Sequence, residues 1–95
     1  MTPEGELKEA IKDYLNSLEG VFLHSYPGVA YGKKGSPDIV VCYKGNYIGI
    51  EAKTYNGKFS EWQKTRKKQI ENAGGVCLFV RSVEHVKEYF EGLNE

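Results

Sequence analysis

Asp38, Glu51 and Lys53 are the residues of this 95-residue chain best placed to do chemistry together. Two strand-like runs carry them, Asp38 to Tyr43 and Tyr47 to Lys53, joined through Gly45-Asn46, a two-residue hairpin loop with glycine first as a type II′ turn prefers. With that loop, Val40 faces Glu51 and Asp38 faces Lys53. Directly opposed residues share a face, as do residues two apart, so the two carboxylates and the ammonium project from one face at one end of the hairpin. The opposite face carries Ile39, Val41, Tyr43, Ile48, Ile50 and Ala52 and reads as core. A one-residue slip would scatter the charged groups over both faces. Two carboxylates with one lysine leave negative charge uncompensated, which is costly beside an apolar sheet unless it is paired or bound to metal. A cross-strand salt-bridge cluster is one answer. A divalent cation is the other, and hard oxygen ligands suit Mg²⁺ or Mn²⁺.

A further acidic group precedes the hairpin. Thr2-Pro3 reads as a helix N-cap and first helical residue, and Leu7, Ala10, Ile11, Tyr14, Leu15 and Leu18 then recur at helical spacing until Gly20. Glu4 falls on that apolar stripe, Glu6 about a quarter-turn away, and Glu9 on the far side. Glu4 is therefore the helix residue best phased to complete a metal site, although a first-turn glutamate also gains from the helix dipole alone.

The elements that must position these groups follow in order. After the first helix comes a short strand, Val21 to Ser25, and then a glycine-rich loop over residues 26–36. The hairpin is next, followed by a helix capped by Ser60 and ending near Ala73, before Gly74-Gly75. Val76 to Arg81 forms another strand, and Ser82 caps a last helix carrying Val83, Val86, Phe90 and Leu93. The order αβββαβα predicts an α/β (α+β) domain, a central mixed sheet flanked by helices, spanning residues 1–95 as one unit.

Composition sets bounds on function. At 40% hydrophobic and 13% aromatic the chain is too apolar for disorder, and its length allows one domain that buries roughly 60–65% of the unfolded surface. No apolar run reaches a membrane span and no signal peptide opens it, which predicts a cytoplasmic protein. Cys42 and Cys77 are too few for a disulfide framework or zinc site, and His24 and His85 lack ligand partners at useful spacing. Gly28 to Gly35 resembles a phosphate-binding P-loop only superficially: its first spacer is short, Lys34 replaces Ser or Thr, and a strand follows where a helix is required, so no nucleotide cofactor is expected.

The 13 basic and 13 acidic side chains cancel, yet they are segregated. Residues 1–31 hold two basic against five acidic groups, residues 69–95 the same, and residues 32–68 nine against three, giving −3, −3 and +6. Local charge governs phosphate contact, because screening cuts fields off beyond about 10 Å. In the positive block Lys33 and Lys34 sit in the loop before Asp38, with Tyr26 and Tyr31 as candidate stacking groups. In the second helix Lys64, Lys67 and Lys68 are expected to face outward, while Arg66 falls in phase with Trp62, Ile70 and Ala73.

Ser36-Pro37-Asp38, followed by Glu51-Ala52-Lys53, resembles the PD-(D/E)xK nuclease signature. Together with Gly35, Ile39-Val40-Val41, Ser60-x-x-Gln63 and Gly74-Gly75, it looks like the compact stand-alone form of the VRR-NUC subfamily found in phages and bacteria, from Glu4 to about Val86. The resemblance implies a restriction-endonuclease-like core. It implies Mg²⁺ or Mn²⁺ held by Asp38, Glu51 and the Ala52 carbonyl, with Glu4 completing the set. Lys53 would orient or deprotonate the attacking water, and Gln63 would brace the site or meet the phosphate backbone. Lys33, Lys34, Ser36 and Lys58 would lie along DNA, as would Lys64, Arg66 and Lys67. The implied activity is metal-dependent hydrolysis of branched DNA such as four-way junctions, in replication, repair or recombination, by a homodimer. The alternatives are a catalytically silent DNA-binding module and a dimeric interaction module.

Overall fold

The structure of the protein, a computed structural model, describes residues 2–25 and 37–94. Helix α1 (Pro3–Asn16) leads into strand β1 (Val21–Ser25), the hairpin β2 (Ile39–Tyr43) and β3 (Asn46–Ala52), helix α2 (Glu61–Asn72), strand β4 (Val76–Val80) and helix α3 (Val83–Leu93). This is the expected order. The sheet runs β1-β2-β3-β4, antiparallel across its first two pairings and parallel between β3 and β4.

Each helix begins at a capping side chain. Thr2 accepts the Gly5 N–H at 3.0 Å, Ser60 that of Gln63 at 3.1 Å, and Ser82 that of His85 at 3.3 Å, satisfying donors that a helix start leaves open.

The hairpin corrects one expectation. The two-residue loop is Lys44-Gly45, not Gly45-Asn46: Tyr43 pairs with Asn46 and Ile39 with Ile50. Lys44 and Gly45 both take positive φ, 49° and 86°, as a type I′ turn requires. Each β2 residue thus meets a partner two positions earlier in β3 than the other loop predicts. A shift of two keeps every side chain on its face, so the face assignments stand.

One sheet face is the core. Ile39, Val41, Ile48, Ile50 and Ala52 are fully buried beneath Ile11 and Leu15 of α1 and Val86 and Phe90 of α3. The Phe90 ring packs edge-on against Tyr43 at 5.1 Å and Tyr14 at 6.4 Å. The other face is covered more thinly. Helix α2 has no buried residue, and Trp62, expected on an apolar stripe, is 48% exposed. Phe59 stacks on Phe79 at 4.2 Å beside it, whereas Phe22 and Cys42 on the β1–β2 side stand exposed.

Candidate active site

Three elements deliver the charged groups to one end of the sheet. Asp38 enters β2, Glu51 and Lys53 leave β3, and α1 begins alongside with Glu4 and Lys8. The approach of Asp38 is set by a notch. A Cβ on Gly49 would lie 2.6 Å from Cγ of Pro37, so only glycine lets that ring settle on the neighbouring strand just before Asp38.

Glu51 is the one charged residue in the buried set of the described residues, 2% exposed, and its carboxyl hydrogen-bonds Asp38. Burial, that hydrogen bond and the Asp38 charge push its pKa up to about 9, against the smaller opposing pull of Lys53 and Lys8. Without a cation, therefore, Glu51 keeps its proton at neutral pH, held by burial and by its hydrogen bond with Asp38.

Glu4 is arranged differently from the expectation. Its Oε2 takes the Lys8 ammonium at 3.1 Å and its Oε1 lies 3.9 Å from that of Lys53. Lys8 also reaches Oδ2 of Asp38 at 3.1 Å and so stands between the two acidic groups. Burial works against the Lys8 charge, but hydrogen bonds and attraction from Asp38 and Glu4 outweigh it and raise its pKa. Among the described residues no three His, Cys, Asp or Glu side chains converge as a ligand group. The structure thus brings Asp38 and Glu51 together, with Ala52 next to Glu51 at the end of β3, and pairs Glu4 with two lysines. Glu6 and Glu9 are exposed, Glu9 on the far side of the helix as its phase predicts.

Lys53 is braced from behind. A Cβ on Gly57 would lie 3.1 Å from Cβ and Cδ of Lys53, so the turn after β3 folds back against the lysine stem. Arg81 holds that turn, donating to the carbonyls of Gly57 at 2.7 Å, Thr54 at 2.8 Å and Tyr55 at 3.3 Å, with its guanidinium 5.0 Å over the Phe59 ring. Neither Arg81 nor Lys8 stands out in the sequence as a site residue. Lys8 had one legible signal, its position one helical turn after Glu4.

The other candidates divide. Gln63 closes a capping box, accepting the Ser60 N–H at 2.7 Å, which accounts for its place in the Ser60-x-x-Gln63 motif without catalysis. Lys67 does not face outward: it binds Glu71 at 2.9 Å, donates to the Cys77 carbonyl and lies 5.3 Å over Phe79. Arg66 donates to Gln69 at 2.6 Å and lies 5.6 Å over Trp62. Lys64 pairs with Glu61 at 3.3 Å on the exposed side of α2, and Lys58 is exposed in the braced turn. Lys33, Lys34 and Ser36 lie outside the described residues, as do Tyr26 and Tyr31.

The donor set fits a small divalent cation. Two carboxyl groups meet at one point, Glu51 would give up its proton on binding the ion, and such ions complete their shell with waters, carbonyls and phosphate oxygens.

The chain matches no protein-family profile and no curated protein. Its fold matches solved structures along nearly the whole length. One, described as a VRR_NUC domain, is 25% identical with a TM-score of 0.77 over 96% of this chain and 97% of that one. Another, a VRR_NUC domain protein, is 18% identical with a TM-score of 0.76 over 97% and 88%. The mixed sheet with its three helices is thus the fold of a nuclease family. The chain is therefore similar to VRR_NUC domains in fold, in agreement with the sequence motifs.

Proposed function

We propose that the protein is a Mg²⁺- or Mn²⁺-dependent DNA endonuclease that hydrolyses phosphodiester bonds in branched DNA, with four-way junctions as the leading substrate, and works as a homodimer. The observation that carries this reading is the Asp38–Glu51 carboxyl contact with Lys53 beside it, on the open end of a nuclease-family sheet. Asp38, Glu51 and the Ala52 carbonyl would hold the ion. When bound, it supplies a water acidified toward neutral pH and charge neutralisation at phosphate. Lys53, fixed by the braced turn, orients the attacking water and offers an ammonium to the oxygens that gain negative charge in the transition state. Glu4 steers the Lys53 ammonium through their ion pair. The products are 5′-phosphate and 3′-hydroxyl ends. Lys58 and Lys64 stand exposed to meet the DNA backbone, joined in sequence by Lys33, Lys34 and Ser36 of the positive block.

A second reading has its own support. Lys8 and Lys53 already neutralise Asp38 and Glu4, as a structural cluster in a silent DNA-binding module would require. Glu51→Gln and Lys53→Ala separate the two. Under the nuclease reading each lowers cleavage of a labelled four-way junction in Mg²⁺ or Mn²⁺ by at least about 100-fold while junction binding survives. Binding with no wild-type cleavage of junction, flap, splayed or linear DNA in either metal decides for the silent module. Sedimentation at micromolar concentration tests the dimer.

A further inference from the structure

Lys8 is a charged group at the site, paired with two carboxylates, that the proposed chemistry leaves unused. Its ammonium lies 3.1 Å from Glu4 and 3.1 Å from Asp38, so it joins two carboxylates that would otherwise repel. Among the described residues Glu4 does not converge with Asp38 and Glu51 into a three-carboxylate group, and Lys8 stands between Glu4 and Asp38. The Lys8 side chain is 26% exposed and Glu4 36%, so both meet some water, yet the ammonium fills the gap that a cation shared by Glu4 and Asp38 would need.

We propose that Lys8 is a resident cation that keeps Glu4 out of the metal shell, so that the ion is held by the Asp38–Glu51 pair alone and bound weakly. This rests on the metal-site reading of Asp38 and Glu51. Its consequence is specific. Removing the ammonium frees the Asp38 oxygen and one Glu4 oxygen together, and Glu4 then becomes a third carboxylate ligand. Arginine at the same position keeps the charge and the bridge. Lys8 is a positioning residue here: it acts on the ion through the carboxylates that it occupies.

The test is direct Mn²⁺ binding, by calorimetry or by the loss of the free-ion paramagnetic resonance signal, on the full chain without DNA. Lys8→Met should tighten Mn²⁺ about tenfold, as expected for deleting one nearby positive charge in a half-buried setting. Lys8→Met with Glu4→Gln should return affinity to within about twofold of wild type, whereas Glu4→Gln alone should change it by less than about twofold. Lys8→Arg should match wild type. Lys12→Met, one turn farther along α1, controls for simple loss of charge. Circular dichroism confirms that each variant folds. Unchanged or weaker binding in Lys8→Met, or a large loss in Glu4→Gln alone, overturns the proposal while wild-type binding preserves the metal-site reading. Absence of Mn²⁺ binding at millimolar concentration in every variant overturns both.

Discussion

At the scale of single residues the site is governed by a buried acid. The raised Glu51 pKa, about 9 folded against 4.5 for the free side chain, gives stability a defined pH dependence. The folded chain holds a proton that the unfolded chain releases above about pH 4.5, so the contribution is complete below that value and fades as pH rises through 9. Thermal unfolding in excess chelator should therefore show wild type losing ground to Glu51→Gln steadily between pH 5 and 9; parallel curves would contradict a buried, protonated Glu51. Gly49 is a second residue with reach beyond its size. The methyl of Gly49→Ala would collide with the Pro37 ring at 2.6 Å, and such overpacking costs about 1–3 kcal/mol. Urea unfolding should register that loss, and cleavage should fall further than stability, since the displaced ring is joined to Asp38.

Among the elements, the turn after β3 has a purpose beyond connection. Arg81 gathers three of its carbonyls, and Gly57 abuts the Lys53 stem. Arg81→Ala should leave the melting temperature within a few degrees, because the group is exposed, yet lower the turnover rate by about tenfold with little change in junction affinity. An equal drop in affinity would instead make Arg81 a DNA contact. The elements also show what a sequence can reveal. Strand alternation makes the shared face of Asp38, Glu51 and Lys53 readable, and it survives the difference between the two loop positions because that difference is an even number of residues. The turn itself is less readable. Lys44 adopts positive φ, which its residue type does not announce. Helix caps at Thr2, Ser60 and Ser82 follow from local chemistry and need no tertiary knowledge. Lys8, Lys67 and Arg81 are hidden for the opposite reason. Their long side chains choose partners across the fold, and charge counting assigns Lys8 to an acidic flank, Lys67 to a solvated face.

For the molecule as a whole, the apolar core lies on one face of the sheet, and the candidate site gathers at one end, where α1 meets the hairpin. The face under α1 and α3 holds nearly all the buried apolar side chains, so Phe90→Ala should cost about 3–5 kcal/mol, seen as a large fall in the denaturation midpoint. The other face is left to α2, which buries nothing completely, and to the charged end. Balanced total charge with a positive middle block predicts DNA binding that falls steeply with salt, and a salt-independent affinity would argue against phosphate contact.

The direction of the chain across this sheet has a practical consequence. Glu4 at the start of α1 lies at the charged end, whereas Asn94, after α3, accepts the Tyr43 hydroxyl at 2.9 Å beside the Lys44-Gly45 turn at the other. Polypeptide appended ahead of Thr2 therefore emerges at the mouth of the site, and polypeptide appended after Asn94 emerges a strand's length away. A bulky fluorescent fusion joined through a short linker at the first position should obstruct DNA, and the same fusion at the second should leave it free. The two ends of this small fold are not interchangeable as handles.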